Sequence, residues 1–260
     1  MVLVTDAIVL HAFDYLESSR ILKLVTRDGG VRSVLARGMR KSKRRFGAAI
    51  DLYAEGSAEL HSKTGRDLDT LAAFDVNRAR PEIAGELSRF TGAATIAELT
   101  LRFAGDAAEA GLYEAVATAL DRIGSASGSR APDMTLGGAW RVLGELGVAP
   151  TIDNCAECHD AVDASERAVF SHPAGGVVCA RCAHLARGGR TLPSSARDAL
   201  RGWLSGDEHA LADPQEIRAH QRLLREFLRE HLADDRPMRA FDVWAAGVWS
   251  SPAPAARNDA

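Results

Sequence analysis

Apolar and polar positions alternate through most of the first 80 residues. Residues 2–13 are mainly apolar and rich in β-branched side chains. Residues 21–27 read Ile-Leu-Lys-Leu-Val-Thr-Arg, and after Asp28-Gly29-Gly30 the pattern resumes over 31–37 as Val-Arg-Ser-Val-Leu-Ala-Arg. Asp-Gly between two such runs predicts a hairpin, because glycine tolerates the positive φ of a tight turn. Residues 49–60 form a fourth extended run, Thr64-Gly65 turns the chain again, and residues 68–76 form a fifth. Five short strands in so little chain predict a small barrel, with an OB-fold foremost.

At Pro81 the period changes. Proline suits the first turn of a helix, where its missing N–H costs nothing. Ile83, Leu87, Phe90 and Ala94 then recur at helical spacing. Leu112, Val116, Leu120 and Ile123 predict a second helix ended by Gly124. Leu136, Trp140, Leu143 and Leu146 predict a third, closed by Gly147 and Pro150. Ser194 or Ser195 is placed to cap a helix bearing Leu200, Trp203 and Leu204. The last long helix has Asp213 as its cap, Pro214 first and Glu216 third, with Ile217, Leu224 and Leu228 as its apolar face. The fold class is therefore α+β. An OB-fold barrel over residues 1–80 precedes an α-helical domain over 81–250, and the proline-rich residues 251–260 are expected to be a disordered tail.

Composition changes this picture little: 260 residues, 46% hydrophobic and 26% charged, read as a globular chain. The first ten residues have no basic segment and carry Asp6 within the apolar run, so no signal peptide is expected. No apolar run approaches the roughly 20 residues that span a bilayer. A cytoplasmic protein without a membrane partner is the expectation. The net charge is −3, yet Arg37, Arg40, Lys41, Lys43, Arg44 and Arg45 follow one another with no acidic residue among them. Such a cluster on a mildly acidic protein is either a localised site for a polyanion or a solvated loop. Phe46 beside it suits either barrel core or base stacking.

The cysteines carry the most specific signal. Cys155-Ala-Glu-Cys158 and Cys179-Ala-Arg-Cys182 are two Cys-x-x-Cys knuckles with 20 residues between them. This spacing reads as a zinc module at about 152–185. Four thiolates complete a tetrahedral shell with Zn–S near about 2.3 Å and leave no open position, so the single Zn2+ is expected to be structural. A redox dithiol needs only one pair, and a zinc deaminase needs a His-x-Glu that this chain lacks. His159, His172 and His184 lie nearby as possible substitutes for a thiolate. No nucleophile elbow, Walker loop, dinucleotide fingerprint or spaced carboxylate set occurs, so no catalytic residues are assigned. On the last long helix Arg218, Arg222, Arg225 and Arg229 fall within about 60° of one another at 100° per residue. That stripe is a solvated face or a groove for an acidic partner.

Several segments together carry a resemblance. They are Ala7-Ile8-Val9-Leu10, the run from Tyr15 to Leu22, Leu24 to Gly30, and above all Ala36-Arg37-Gly38-Met39-Arg40-Lys41-Ser42-Lys43. Leu143 to Gly147, the knuckles around Phe170-Ser171 and Gly175-Gly176, and Leu223 to Leu228 follow in order. In their order and spacing they resemble the RecO family of bacterial recombination mediators, over nearly the whole chain. The resemblance implies an OB-fold followed by a helical domain with a zinc module, and binding of single- and double-stranded DNA. It further implies annealing of complementary strands and, with RecR, loading of RecA onto DNA coated by single-strand-binding protein (SSB). Contact with the acidic C-terminal tail of SSB, an indirect link to RecF and RecA, and a nucleoid-associated cytoplasmic location follow from it too. The chain departs from the family in having Met238-Arg239-Ala240-Phe241 where a serine-arginine pair is often found. A zinc-ribbon nucleic-acid-binding regulatory factor without annealing activity, or a zinc enzyme with three cysteine ligands and a water, are the readings from other classes.

Overall fold

The computed structural model describes residues 1–38, 50–62, 68–163, 168–186, 188–211, 213–231 and 236–247. Five strands open the chain: β1 (Val2–Tyr15), β2 (Ser19–Thr26), β3 (Gly30–Ala36), β4 (Glu55–His61) and β5 (Asp69–Arg78). They close into a barrel in the order β1-β2-β3-β5-β4, with every pair antiparallel except β3 and β5. This is the strand order of an OB-fold. The hairpin between β2 and β3 turns at Gly30, whose φ of 66° suits a residue without Cβ. Ala7, Val9, Leu22, Leu24, Val34, Leu60, Leu71 and Phe74 fill the barrel.

Strand β1 serves two cores. Ala7 and Val9 point into the barrel, whereas Ile8 and Leu10 point outward and pack with the helices. The register then shifts between Val9 and His11. One extra residue on a strand reverses which side chains face in, because the side-chain period is two. Beyond this bulge Ala12 packs against the barrel core, while His11, Phe13 and Tyr15 face solvent.

The fourth run differs from its sequence reading. Ile50 is buried in the barrel, but β4 begins only at Glu55. Tyr53 adopts φ of 67°, donates its N–H to the Val9 carbonyl (2.7 Å) and buries its ring among the helices. Packing of that ring overrides the extended propensity of residues 50–54.

The helices are α1 (Pro81–Ala84), α2 (Leu87–Phe103), α3 (Leu112–Ser125), α4 (Ala131–Glu145), α5 (Ser194–Ser205), α6 (Pro214–His231) and α7 (Arg239–Ala245). The apparent single helix through Ile83, Leu87, Phe90 and Ala94 is two, broken at Gly85 and Glu86. Leu87 and Phe90 are consequently exposed, and α2 buries Ala93, Ile96, Ala97 and Leu99 instead. Asp213 caps α6 as expected, accepting hydrogen bonds from the amides of Gln215 (2.6 Å) and Glu216 (3.0 Å). Neither Ser194 nor Ser195 caps α5: Pro193 stands at the cap, with no side-chain hydrogen bond.

Arg80 joins barrel and helices. It is 3% exposed and reaches Glu55 (2.6 Å), Asp121 (2.6 Å) and the Tyr53 carbonyl (2.8 Å). A small antiparallel sheet, β7-β6-β8, follows α4, with β6 (Ala168–Ser171), β7 (Gly176–Val178) and β8 (Arg190–Leu192). Phe170 of β6 and Trp140 of α4 both stack on Phe227 of α6 (6.1 and 5.2 Å), tying sheet to helices. Among the described residues no helix is long and apolar enough to cross a membrane.

Candidate metal centre and nucleic-acid interface

The two knuckles meet because the chain on either side of them pairs. Thr151 donates to the Gly175 carbonyl (3.0 Å) and accepts from the Val177 amide (2.8 Å), and Ala156 donates to the Val177 carbonyl (2.8 Å). This approach depends on Gly176, where a Cβ would lie 2.3 Å from the Thr151 carbonyl oxygen. The first knuckle therefore lies against β7, the strand that leads directly into the second.

The four sulfur atoms of Cys155, Cys158, Cys179 and Cys182 lie within 4.8 Å of one another. Cys158 and Cys179 are 3.8 Å apart. A tetrahedron with metal–sulfur arms of about 2.3 Å has edges of about 3.8 Å, so the cluster has the dimensions of a four-thiolate site. Cys155 is fully buried and accepts a hydrogen bond from the Cys179 amide (3.4 Å). Burial pushes its thiol up, but the amides of Cys158, Cys179 and Glu157 outweigh that and bring it down to about 6. Thiolate is the ligand form; Cys179 is also held down, by the Cys182 amide, whereas burial pushes Cys182 up. Arg181 lies 3.8 Å from the Cys158 sulfur and pairs with Asp160.

The nearby histidines stand outside this cluster among the described residues. His159 turns the chain at φ of 62°, His184 bonds the Arg181 carbonyl (2.8 Å), and His172 approaches Glu226 (3.0 Å). Sequence reasoning missed Arg197, which is 1% exposed. Its guanidinium donates to the carbonyls of Ile152 (3.1 Å), Asp163 (2.6 Å) and Val162, fixing the loop that bears the first knuckle. The available signal was its position three residues before Leu200 and six before Trp203, on the apolar face of α5.

The basic segment is the connection from β3 to β4. Arg37 follows the end of β3, while Arg40, Lys41, Lys43, Arg44, Arg45 and Phe46 lie outside the described residues, as does the tail 251–260. The connection leaves the barrel after Ala36 and returns at Ile50, both buried. The four arginines of α6 do not form one uniform stripe. Arg222 lines a cavity of about 520 Å³ with Leu192, Pro193, Leu211 and Leu223, whereas Arg218 lines a groove of about 590 Å³ beside Leu87 and Pro132. Arg225 is engaged by α7, pairing with Asp242 (3.3 Å) and lying over the Phe241 ring (5.4 Å). Arg229 is exposed near the C-terminal end of the helix.

Comparison with known proteins adds an independent finding. The family model described as Recombination protein O N terminal matches residues 1–80, and that described as Recombination protein O C terminal matches residues 84–240. The DNA repair protein RecO of Anaeromyxobacter sp. (strain Fw109-5) is 33% identical over 239 residues, covering 90% of this chain and 93% of that protein. The DNA repair protein RecO of Anaeromyxobacter sp. (strain K) is 35% identical over 191 residues, 73% of either chain. That of Syntrophotalea carbinolica is 32% identical over 179 residues, 68% of either chain.

Proposed function

Because the chain belongs to the RecO family of DNA repair proteins, we propose that it is a non-catalytic recombination mediator. It binds single- and double-stranded DNA, anneals complementary strands, and with RecR helps to load RecA onto DNA coated by SSB. The observation that carries this reading is a closed OB-type barrel whose β3–β4 connection bears six cationic residues over 37–45 with no acidic residue among them.

Annealing brings two negative strands together. Arg37, Arg40, Lys41, Lys43, Arg44 and Arg45 neutralise phosphates and release counterions, so affinity falls steeply as salt rises. The four cysteines hold one zinc ion, which when bound supplies a closed structural cross-link. Arg197 and Gly176 position the segments that present the thiolates, and Arg181 offsets part of their charge. The acidic tail of SSB meets Arg222, which lines a cavity whose Leu192, Pro193, Leu211 and Leu223 side takes a hydrophobic terminal residue. The protein acts in association with the nucleoid, with RecF linked indirectly.

The test is strand annealing of complementary oligonucleotides, bare and precoated with SSB. The comparison is between the natural chain and the variant R40A/K41A/R44A/R45A, with zinc measured on the same samples. Annealing on both templates by the natural chain, with DNA binding weakened and its salt dependence flattened in the variant, is expected. Unchanged binding by a folded variant rejects the role of the segment, and no annealing by the natural chain rejects the function.

A further inference from the structure

The bulge in β1 does more than end the barrel core. Past it, residues 11, 13 and 15 share the outward face, and all three carry rings: His11, Phe13 and Tyr15. The His11 and Phe13 ring centroids are 5.8 Å apart, and Phe13 and Tyr15 are 41% and 43% exposed. Neither Phe13 nor Tyr15 belongs to an apolar core; the core contact of this stretch is made by Ala12.

The row leads into a groove of about 680 Å³ between barrel and helices, on whose wall His11 stands. Phe90 forms part of its floor, 39% exposed and edge-on to Tyr53 at 6.5 Å. Its other walls carry Arg102, Arg236 and Arg239 against one carboxylate, Glu98, which accepts a hydrogen bond from the Phe241 amide (3.0 Å). Aromatic faces beside an arginine-rimmed groove form the arrangement that grips bases by stacking and phosphates by charge.

Resting on the DNA-binding reading above, we propose that the outer face of β1 past its bulge and the adjoining groove form a track for single-stranded DNA. Bases stack on His11, Phe13 and Tyr15, and Arg102, Arg236 and Arg239 meet the backbone. Spacing favours single strands over duplex. Same-face residues on a strand recur every 6.8 Å or so, about twice the 3.4 Å base spacing along a duplex strand. Only a strand whose bases are drawn apart matches that interval. An acidic peptide would satisfy the arginines but has no use for a ladder of exposed rings.

The experiment measures binding of oligo-dT and of a duplex across a salt series, using the full chain, F13A/Y15A, F13W/Y15W, R239A and R40A/K41A/R44A/R45A. Both ring positions are exposed, and thermal melting checks that each variant is folded. F13A/Y15A is expected to lose about tenfold in oligo-dT affinity for each ring removed, with the salt slope and duplex binding unchanged. F13W/Y15W keeps the natural affinity, and R239A lowers the slope of log affinity against log salt by about 0.7. Natural oligo-dT affinity in F13A/Y15A, while the basic-segment variant is impaired, overturns the track and leaves the proposed function standing. Loss of an SSB-tail peptide without loss of oligo-dT assigns the groove to a protein partner and also overturns it. No salt-dependent DNA binding by the natural chain overturns both readings together.

Discussion

Replacing Arg80 with methionine keeps most of the side-chain volume and removes the charge that joins barrel to helices. In the natural chain one guanidinium serves Glu55 of β4, Asp121 of α3 and the Tyr53 carbonyl. Without it, Glu55 retains the Tyr113 hydroxyl (2.8 Å) and Asp121 retains Arg78 (2.7 Å), but the Tyr53 carbonyl loses its donor. Breaking a buried ion pair from one side costs about 3–5 kcal/mol. Both carboxylates keep some access to water, so the lower end applies, about 3 kcal/mol. With a urea m-value of about 2–3 kcal/mol/M, the midpoint falls by about 1–1.5 M. The pH profile provides a second readout. Burial pushes Glu55 up, but its bonds to Arg80 and Tyr113 outweigh this and hold it below the usual carboxylate range. A carboxylate with a lowered folded pKa stabilises the protein above its unfolded value, and that stability is lost as pH falls through the folded one. R80M should weaken this acid-side loss, leaving only the part that the Tyr113 hydroxyl supplies. A midpoint within about 0.3 M of the natural chain would refute the reasoning, since a shift that small is under 1 kcal/mol.

Two further predictions concern the helical part and the cysteine cluster. Burial lowers His220 to about 4, with Glu216 opposing and His209 assisting. The unfolded chain therefore takes up a proton between about pH 6.5 and 4 that the folded chain refuses, and stability falls by up to about 3 kcal/mol as pH drops through that window. Urea titrations of H220F should show a flatter profile there, and an unchanged slope would count against a neutral buried His220. Gly176→Ala forces a methyl group against the Thr151 carbonyl oxygen, so the two knuckles separate. Zinc per chain should fall well below that of the natural protein, with a loss of about 2 kcal/mol or more; full zinc content with an unchanged melting temperature would contradict the close approach.

Local patterns made much of this protein readable. Alternation through residues 2–37 marked three strands because each has one face in an apolar core, and the cysteine spacing marked a candidate metal site because each knuckle is a local structure. What depended on distant partners stayed hidden. The bulge at Leu10 left no turn residue in the sequence, since an outward-facing leucine is covered by helices that arrive much later. Arg80 and Arg197 were not singled out, because their burial rests on partners up to 41 and 45 residues away. Residues 50–54 read as strand, but the Tyr53 ring packs among the helices instead, and Ser194 read as a cap although Pro193 fills that place. On α6 the arginine spacing was visible, but the engagement of Arg225 by α7 was not.

The double duty of β1 bears on how the chain is made. Its inward residues find all their partners within the first 80 residues, but the face that carries Ile8 and Leu10 is completed only by α2 and α3. During synthesis the barrel strands emerge first and must wait with an apolar flank bare until more than a hundred residues have left the ribosome. Val25 and Tyr53 share that flank. The interval is a window of vulnerability to aggregation, and it closes when the helical half docks. A nascent chain stalled near residue 80 would be a natural client for chaperones, even with every barrel strand already in hand.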